Sequence, residues 1–166
     1  MFKAMIFIDA SNMNKSAEHL GFKIDYKKFK HFLERFLEHN GFRLVRPYYY
    51  TVEDKDSTQP IFHSKLRNFG YELKIKDIVK INSKYEEKEI DIKIATDILY
   101  FGYNNSYDLA LICTGDKDFL PVIERIKDLG KWVYIAAFEH SCAEILIKIC
   151  DQFINLSECK NEIEYK

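Results

Sequence analysis

Residues 109–119 read Leu-Ala-Leu-Ile-Cys-Thr-Gly-Asp-Lys-Asp-Phe, and this stretch decides the expected fold. A continuous apolar run without alternation is typical of a strand buried on both faces, as in a parallel sheet covered by helices. Ligands of open α/β sheets bind just outside the carboxyl ends of the strands, so Asp116 and Asp118 are candidates for chemistry. Structural roles are the alternative, with Asp118 as a helix N-cap and Asp116 as a turn residue.

A second apolar run, residues 4–8, also ends in a carboxylate, at Asp9. It predicts another buried strand of the same sheet, with Asp9 at its carboxyl end.

Further elements follow from hydrophobic periodicity and from helix stop signals. Pro47 predicts a bulge or an edge position in its strand. Residues 82–89 are charged and aperiodic, and they predict a mobile loop. The predicted helices are 26–40, 61–69, 90–103, 119–129 and 144–150, and the further strands are 42–52, 71–79 and 132–137.

Strands and helices alternate along the chain, which predicts an α/β fold with a mainly parallel central sheet and helices on both faces. The chain has 166 residues, enough for one domain with a substantial core. We expect a single domain over residues 1–157 and a polar C-terminal tail over residues 158–166.

Composition constrains the function only loosely. Lys plus Arg number 25 against 26 Asp plus Glu, so nucleic-acid binding would need a local basic patch. The four cysteines form no CxxC pair, and this argues against a zinc knuckle or a disulfide framework. The N-terminal apolar run is too short for a signal peptide or a membrane span. We expect a cytoplasmic protein that does not bind membranes.

Asp91 belongs to the predicted helix that follows the charged loop. At 100° per residue it lies near the middle of the apolar stripe formed by Ile94, Ala95 and Ile98, so its carboxylate should point toward the sheet. An N-cap role in the first turn is the alternative. Asp97 lies on the flank of the stripe. It either positions the residues of the site without touching the ligand, or it is an exposed charge.

Asp9, Asp91, Asp116 and Asp118 are thus expected at the same end of one sheet. Crowded carboxylates repel one another and raise one another's pKa unless a cation lies among them. Mg²⁺ or Mn²⁺ is the expected ion, because Mg²⁺ prefers a few carboxylates together with waters and a phosphate. These motifs hold no histidine, which argues against zinc. Such a site predicts hydrolysis of a phosphodiester.

The ordered motifs resemble the NYN domain of the LabA-like (DUF88) group within the PIN-like nucleases. They are Phe7-Ile8-Asp9-x-x-Asn12, Lys88-x-Ile90-Asp91, Thr96-Asp97, Thr114-Gly115-Asp116-Lys117-Asp118-Phe119, Gly130-Lys131-x-Val133 and Ser141.

The resemblance implies a PIN-like three-layer α/β/α sandwich and metal-dependent cleavage of RNA. It assigns Asp9, Asp91, Asp116 and Asp118 as catalytic, metal-site carboxylates, and Asn12 as the residue that orients the first loop. With Asn12, the expected substrate-binding residues are Thr114, Lys117 and Ser141.

Two positions depart from the family pattern. Thr114 replaces the usual Ser but keeps the hydroxyl group. Glu89 stands where Gly is common, and it adds a negative charge beside the expected phosphate path.

The leading hypothesis is therefore a metal-dependent endoribonuclease that acts on single-stranded RNA and leaves a 5′-phosphate. Phosphate contacts are expected from Lys15, Lys93, Lys117 and Lys131. A homodimer is compatible with the sequence.

Two other functions stay open. One is a catalytically weak or inactive PIN-like domain that binds RNA or regulates a partner. The other is a Mg²⁺-dependent phosphatase or a receiver-like phospho-acceptor, which needs a lysine near a late strand end.

Overall fold

Six parallel strands form one central sheet in the described part of the chain, which is known from a computed structural model. The structure describes residues 1–53, 59–77 and 83–166, and of residues 53, 77 and 83–87 it describes the backbone alone. The sheet order is β3-β2-β1-β4-β5-β6. The strands are β1 (Phe2–Asp9), β2 (Phe42–Glu53), β3 (Glu72–Asp77), β4 (Leu109–Cys113), β5 (Trp132–Ala137) and β6 (Gln152–Asn155).

Seven α-helices connect or follow these strands in the described part of the chain. They are α1 (Ala10–His19), α2 (Tyr26–His39), α3 (Gln59–Asn68), α4 (Ser83–Tyr103), α5 (Leu120–Asp128), α6 (Glu144–Ile149) and α7 (Lys160–Ile163). Within the described ranges, none of the helices is long and apolar enough to cross a membrane.

Three consecutive tyrosines of β2 show how both faces of the sheet are covered. Tyr49 packs edge-on against Tyr26 of α2, with ring centroids 5.0 Å apart. Its neighbours point the other way, as alternation along a strand requires. Tyr48 lies 5.2 Å from the ring of Phe101 in α4, and the Tyr50 hydroxyl donates a hydrogen bond to Asp97 of the same helix. Helices therefore cover both faces, and the predicted α/β/α sandwich is confirmed.

The strand order reverses between β1 and β4. From β1 the chain builds outward through β2 and β3, and it then returns to the other side of β1 through β4, β5 and β6. The carboxyl ends of β1 and β4 therefore flank a topological switch point, where open α/β sheets form their ligand-binding crevice.

Pro47 lies beside a bulge in an internal strand. The pairing of β1 with β2 shifts between Ala4, opposite Leu44, and Met5, opposite Arg46. The bulge alternative is confirmed. β2 lies between β1 and β3, but β3 pairs with β2 only from Tyr48 onward, so Pro47 itself has a paired strand on one side.

The mobile loop predicted over residues 82–89 is wrong for residues 83–89, because α4 already begins at Ser83. Lysine and glutamate have high helix propensity, which favours a helix here without apolar periodicity. Residue 82 lies outside the described part of the chain, as do residues 78–79 of the predicted strand 71–79.

Three elements were not predicted: α1, β6 and α7. The buried positions of α1 are Ala10, Met13, Ser16 and Ala17, so most of its inward face is small or polar and gives a weak hydrophobic signal. The last residues pack onto the domain. Ile163 is buried, and the backbone N–H of Tyr165 donates to the carbonyl oxygen of Lys23 at 2.8 Å.

Candidate active site

Asp9 is the last residue of β1 and the N-cap of α1. Its Oδ1 accepts a hydrogen bond from the backbone N–H of Asn12 at 3.2 Å. This is the usual role of an aspartate where a strand leads directly into a helix. Only 5% of Asp9 is exposed, so its carboxylate is fixed by the protein around it.

Thr114 joins Asp9 to the turn that follows β4. Its buried hydroxyl donates to Oδ2 of Asp9 at 3.0 Å and accepts from the backbone N–H of Asp116 at 3.3 Å. The two residues meet because Ile8 and Cys113, which precede them, are paired across β1 and β4. Both bonds are made by the hydroxyl group, which threonine has in common with the serine usual at this position in the family.

Asn12 makes a second link between the same two segments. Its side-chain oxygen accepts a hydrogen bond from the backbone N–H of Gly115 at 3.0 Å. Asn12 therefore holds the turn after β4 against the first turn of α1.

Gly115 was not predicted as a site residue, although backbone packing allows no side chain there. A Cβ at this position would lie 2.8 Å from the Cα of Cys142 and closer still to the carbonyl oxygen of Ser141. The carbonyl oxygen of Gly115 also accepts from the backbone N–H of Ala143 at 3.0 Å. A glycine directly after a buried strand is the sequence signal for such a close backbone approach.

Asp116 lies at the start of a 3₁₀ turn formed by Lys117–Phe119. Its Oδ1 accepts from the backbone N–H of Asp118 at 2.9 Å, so Asp116 caps the turn and is half-buried. The N-cap alternative for Asp118 is wrong, because the N-cap of α5 is Phe119 and no side chain caps that helix. Asp118 itself is exposed.

Asp91 lies in the interior of α4 and is half-buried. The N-cap alternative for Asp91 is wrong, because the helix begins eight residues earlier, at Ser83. Asp97, two turns further along, accepts the Tyr50 hydroxyl at 2.8 Å and is held against β2.

The structure brings three of the four predicted aspartates to one cleft of about 160 Å³ at the switch point. An adjoining cavity of about 200 Å³ shares Asp91 and holds Asp118 together with Lys88 and Phe119. Ser11, Lys15 and Ile90 line the cleft and were not predicted as catalytic or metal ligands. The cleft residues are Asp9, Ser11, Asn12, Lys15, Ile90, Asp91 and Asp116.

Other predicted residues lie around this cleft or away from it. Ser141 is in hydrogen-bond contact with Ser16 of α1, with their hydroxyl oxygens 2.6 Å apart, and it does not line the cleft. Lys117 and Lys93 are exposed. Lys131 precedes β5, at the amino edge of the sheet, and its Nζ donates to Asn105 at 2.7 Å. The predicted phosphate contact of Lys131 at this cleft is therefore wrong.

Cys113 lies directly behind Asp9 and is fully buried at the end of β4. Burial raises the pKa of its thiol well above the ordinary value, and the negative charge of Asp9 raises it further. The thiol therefore stays protonated at neutral pH and is not a nucleophile here.

The sequence matches the NYN domain over residues 3–157. It is 26% identical over 165 residues to the low amplitude and bright protein LabA of Synechococcus elongatus, covering 96% of this chain and 86% of that protein. It is also 32% identical over 82 residues to the uncharacterized protein MJ0482 of Methanocaldococcus jannaschii, covering 47% of this chain and 34% of that protein.

A similar structure has been solved. The crystal structure of a protein of unknown function, VPA0982 from Vibrio parahaemolyticus, matches with a TM-score of 0.83 and 21% identity. The match covers 99% of this chain and 96% of that one, and it shows a shared fold.

Proposed function

Because this chain belongs to the NYN domain family, whose members are generally nucleases, we propose that it is an endoribonuclease that hydrolyses single-stranded RNA with Mg²⁺ or Mn²⁺. The observation that carries the proposal is the cleft at the switch point. There β1, α4 and the turn after β4 each contribute one aspartate, Asp9, Asp91 and Asp116. Gathering carboxylates in one cleft destabilises a protein unless a cation offsets their charge.

The donor atoms of the cleft suit a hard divalent cation. Besides Lys15 and Ile90, the described residues that line the cleft offer carboxylate, hydroxyl and amide oxygens, and none of them is a histidine or a cysteine. In the described ranges no three His, Cys, Asp or Glu side chains form a ready-made metal site. Mg²⁺ does not need one, since it is usually held by one or two carboxylates, several waters and the phosphate of the substrate. We therefore propose that one or two of Asp9, Asp91 and Asp116 hold an ion that binds together with RNA.

The surrounding residues prepare the cleft for phosphodiester hydrolysis. Thr114 and the backbone of Asn12 fix both oxygens of Asp9, so this carboxylate needs little reorganisation when substrate binds. When bound, the metal ion would activate water and offset the charge that develops on the phosphate. Water adds to phosphorus and the P–O3′ bond breaks, which leaves a 5′-phosphate and a 3′-hydroxyl.

Lysines beside the aspartates would hold the phosphates of the strand. Lys15 lines the cleft, Lys88 lines the adjoining cavity with Asp118, and Lys117 is exposed on the turn between Asp116 and Asp118. Ammonium groups bind phosphate oxygens through charge-assisted hydrogen bonds. This arrangement suits an RNA strand as the substrate. We propose that the protein acts on RNA in the cytoplasm.

The alternative functions make different demands on the fold. A receiver-like phospho-acceptor has the strand order 2-1-3-4-5, whereas this sheet has the order 3-2-1-4-5-6. Lys131 does not supply the late-strand lysine that such chemistry needs, because it lies at the amino edge of the sheet and bonds to Asn105. A non-catalytic RNA-binding domain would keep the cleft and lose turnover.

The proposal is tested with a labelled single-stranded RNA, purified protein and Mn²⁺. We expect cleavage to 5′-phosphate products, full inhibition by chelator, and loss of cleavage in Asp91→Asn but not in the surface control Asp128→Asn. Calorimetry with Mn²⁺ and uncleavable RNA supplies a readout that does not depend on turnover. RNA binding without any cleavage by the wild type would favour the non-catalytic alternative and overturn the proposal.

A further inference from the structure

A second cavity, of about 630 Å³, lies between α1, the start of α2 and α3. Its volume falls within the roughly 300–1,000 Å³ that small-molecule sites usually occupy. Among the described residues it shares no lining residue with the aspartate cleft. The two are separated by α1, with Asn14 and Glu18 facing the cavity and Ser11 and Lys15 facing the cleft.

Three lysines surround this cavity: Lys23, Lys27 and Lys65. All three side chains are exposed, and within the described ranges none of them forms an ion pair with a carboxylate. The carboxylates of Glu18 and Asp25 also line the cavity. That of Asp25 accepts the backbone N–H groups of Lys27 and Lys28, so the N-terminus of α2 partly offsets its charge. The balance of charge at the rim is therefore positive.

Four aromatic residues line the cavity: Tyr26, Phe62, Phe69 and Tyr165. Phe62 is 39% exposed and Tyr165 is 66% exposed, so both rings are accessible to a ligand. Phe62 is held in orientation by an edge contact with Tyr26, with centroids 6.2 Å apart. Accessible aromatic rings beside a cationic rim are the features by which proteins bind single-stranded nucleic acid, through base stacking and phosphate contacts.

We propose that this cavity binds one nucleotide of the RNA strand that is cleaved at the aspartate cleft. The base stacks on Phe62 and Tyr165, and the flanking phosphates contact Lys27 and Lys65. The inference rests on the proposed function in one respect, that the bound strand continues into the aspartate cleft and is cleaved there. The binding of a nucleotide is argued from the residues of the cavity itself.

Residues of α1 line both sites, so we expect one short single strand to reach from one to the other. The two sites lie on neighbouring faces of α1, and a helix with its side chains is about 10 Å across. The strand would cross the first two turns of α1, passing Lys15 on its way from the cleft. Substrates that reach both sites should therefore bind more tightly than a trinucleotide confined to the cleft.

The test measures binding of a fluorescein-labelled single-stranded oligonucleotide, long enough to span both sites, in chelator to prevent cleavage. For the double variant Lys27→Gln/Lys65→Gln, the slope of log affinity against log salt should decrease in magnitude by about 1.4, since each phosphate contact in a single strand contributes about 0.7. The control Arg125→Gln/Lys148→Gln removes the same charge from α5 and α6, and should leave the slope unchanged. Phe62→Ala should weaken binding roughly 5- to 150-fold, the range measured for loss of one base stack.

A photo-crosslinking experiment on the wild-type protein guards against misfolded variants. Oligonucleotides with a single 5-iodouridine at successive positions should crosslink to Phe62 or Tyr165 at one or two positions only. An unchanged salt slope in the lysine variant, or crosslinks confined to other surfaces, would overturn the subsite. A free mononucleotide that binds as tightly as the long strand would also overturn it, because the cavity would then be a nucleotide site of its own.

Failure of the subsite and failure of the nuclease proposal give different results. Crosslinking at Phe62 without cleavage supports the subsite and contradicts the nuclease proposal. Metal-dependent cleavage with an unchanged salt slope in the lysine variant supports the nuclease proposal and contradicts the subsite.

Discussion

Asp116 has two roles, because its side chain both caps a helical turn and lines the cleft. Its Oδ1 caps the Lys117–Phe119 turn, and the residue lines the cleft with Asp9 and Asp91. Asparagine caps helical turns about as well as aspartate but lacks the charge that binds a hard cation. We therefore expect Asp116→Asn to fold normally and to lose RNA cleavage. Its metal-free melting temperature should be unchanged or higher, because one repulsive charge is removed.

The measurement pairs an RNA cleavage assay in Mn²⁺ with thermal melts in chelator, and Asp128→Asn serves as the exposed control. A clearly lower melting temperature for Asp116→Asn would identify Asp116 as a structural turn residue only. Cleavage at the wild-type rate would mean that any nuclease activity belongs to another site or to a contaminant.

Thr114 is the buried link between the two main strands of the site. Thr114→Val leaves Oδ2 of Asp9 and the N–H of Asp116 without this hydroxyl partner, which should cost about 1–3 kcal/mol of unfolding free energy. Thr114→Ser keeps both bonds and loses one methyl group, at a cost of about 1 kcal/mol. Urea unfolding of the two variants measures the difference. Equal stabilities would show that the hydroxyl contributes nothing to holding Asp9.

At the scale of elements, the turn after β4 packs directly on the segment that follows β5. Gly115→Ala would force the backbone of these two segments apart, because its Cβ meets Ser141 and Cys142. We expect a loss of about 1–3 kcal/mol in stability together with reduced RNA cleavage, since Asp116 follows in the same turn.

Gly21→Ala is the matched control for this substitution. Gly21 has a φ of +81° and no atom within 4 Å of an added Cβ, so alanine there should cost about 1–2 kcal/mol through backbone strain alone. Cleavage per folded molecule should stay at the wild-type level in this control. If both variants cleave normally, the packing of the turn after β4 does not set the position of Asp116.

At the scale of the whole molecule, buried tyrosines predict a loss of stability in alkali. Burial raises the pKa of Tyr26, Tyr50 and Tyr71, and the charge of Asp97 raises that of Tyr50 further. In the unfolded chain a tyrosine ionises near pH 10. Above that pH the folded state binds more protons than the unfolded state, so the unfolding free energy falls as pH rises. The stability is fully present below about pH 10 and is lost above it, at about 1.4 kcal/mol per pH unit for each such residue.

Urea unfolding across this pH range, with a reductant present, measures the effect. Tyr50→Phe should make the decline with pH shallower, whereas Tyr100→Phe, which removes an exposed phenol, should leave it unchanged. The quantity to compare is the slope of unfolding free energy against pH. Tyr50→Phe also loses the hydrogen bond to Asp97, which lowers the stability at every pH without changing that slope. Identical slopes for both variants would contradict this role of Tyr50.

The sequence by itself determined the layers of the fold and the candidate aspartates. The runs at residues 4–8, 109–113 and 132–137 are uninterrupted because strands covered on both faces need apolar side chains at every position. The turn after each of the first two runs is polar, which located Asp9 and Asp116 at the carboxyl edge. The sequence therefore predicted the strands correctly wherever every residue of a run is buried and apolar.

Only the tertiary structure decided which segments meet. Asp9 and Thr114 are 105 residues apart in sequence, and they bond because β1 and β4 are neighbours at the switch point. The bond between Ser16 and Ser141, the close approach at Gly115, and the place of Lys131 at the opposite edge likewise depend on packing between distant elements. Such contacts are set by strand order and helix packing, and a local pattern of side chains does not encode either one.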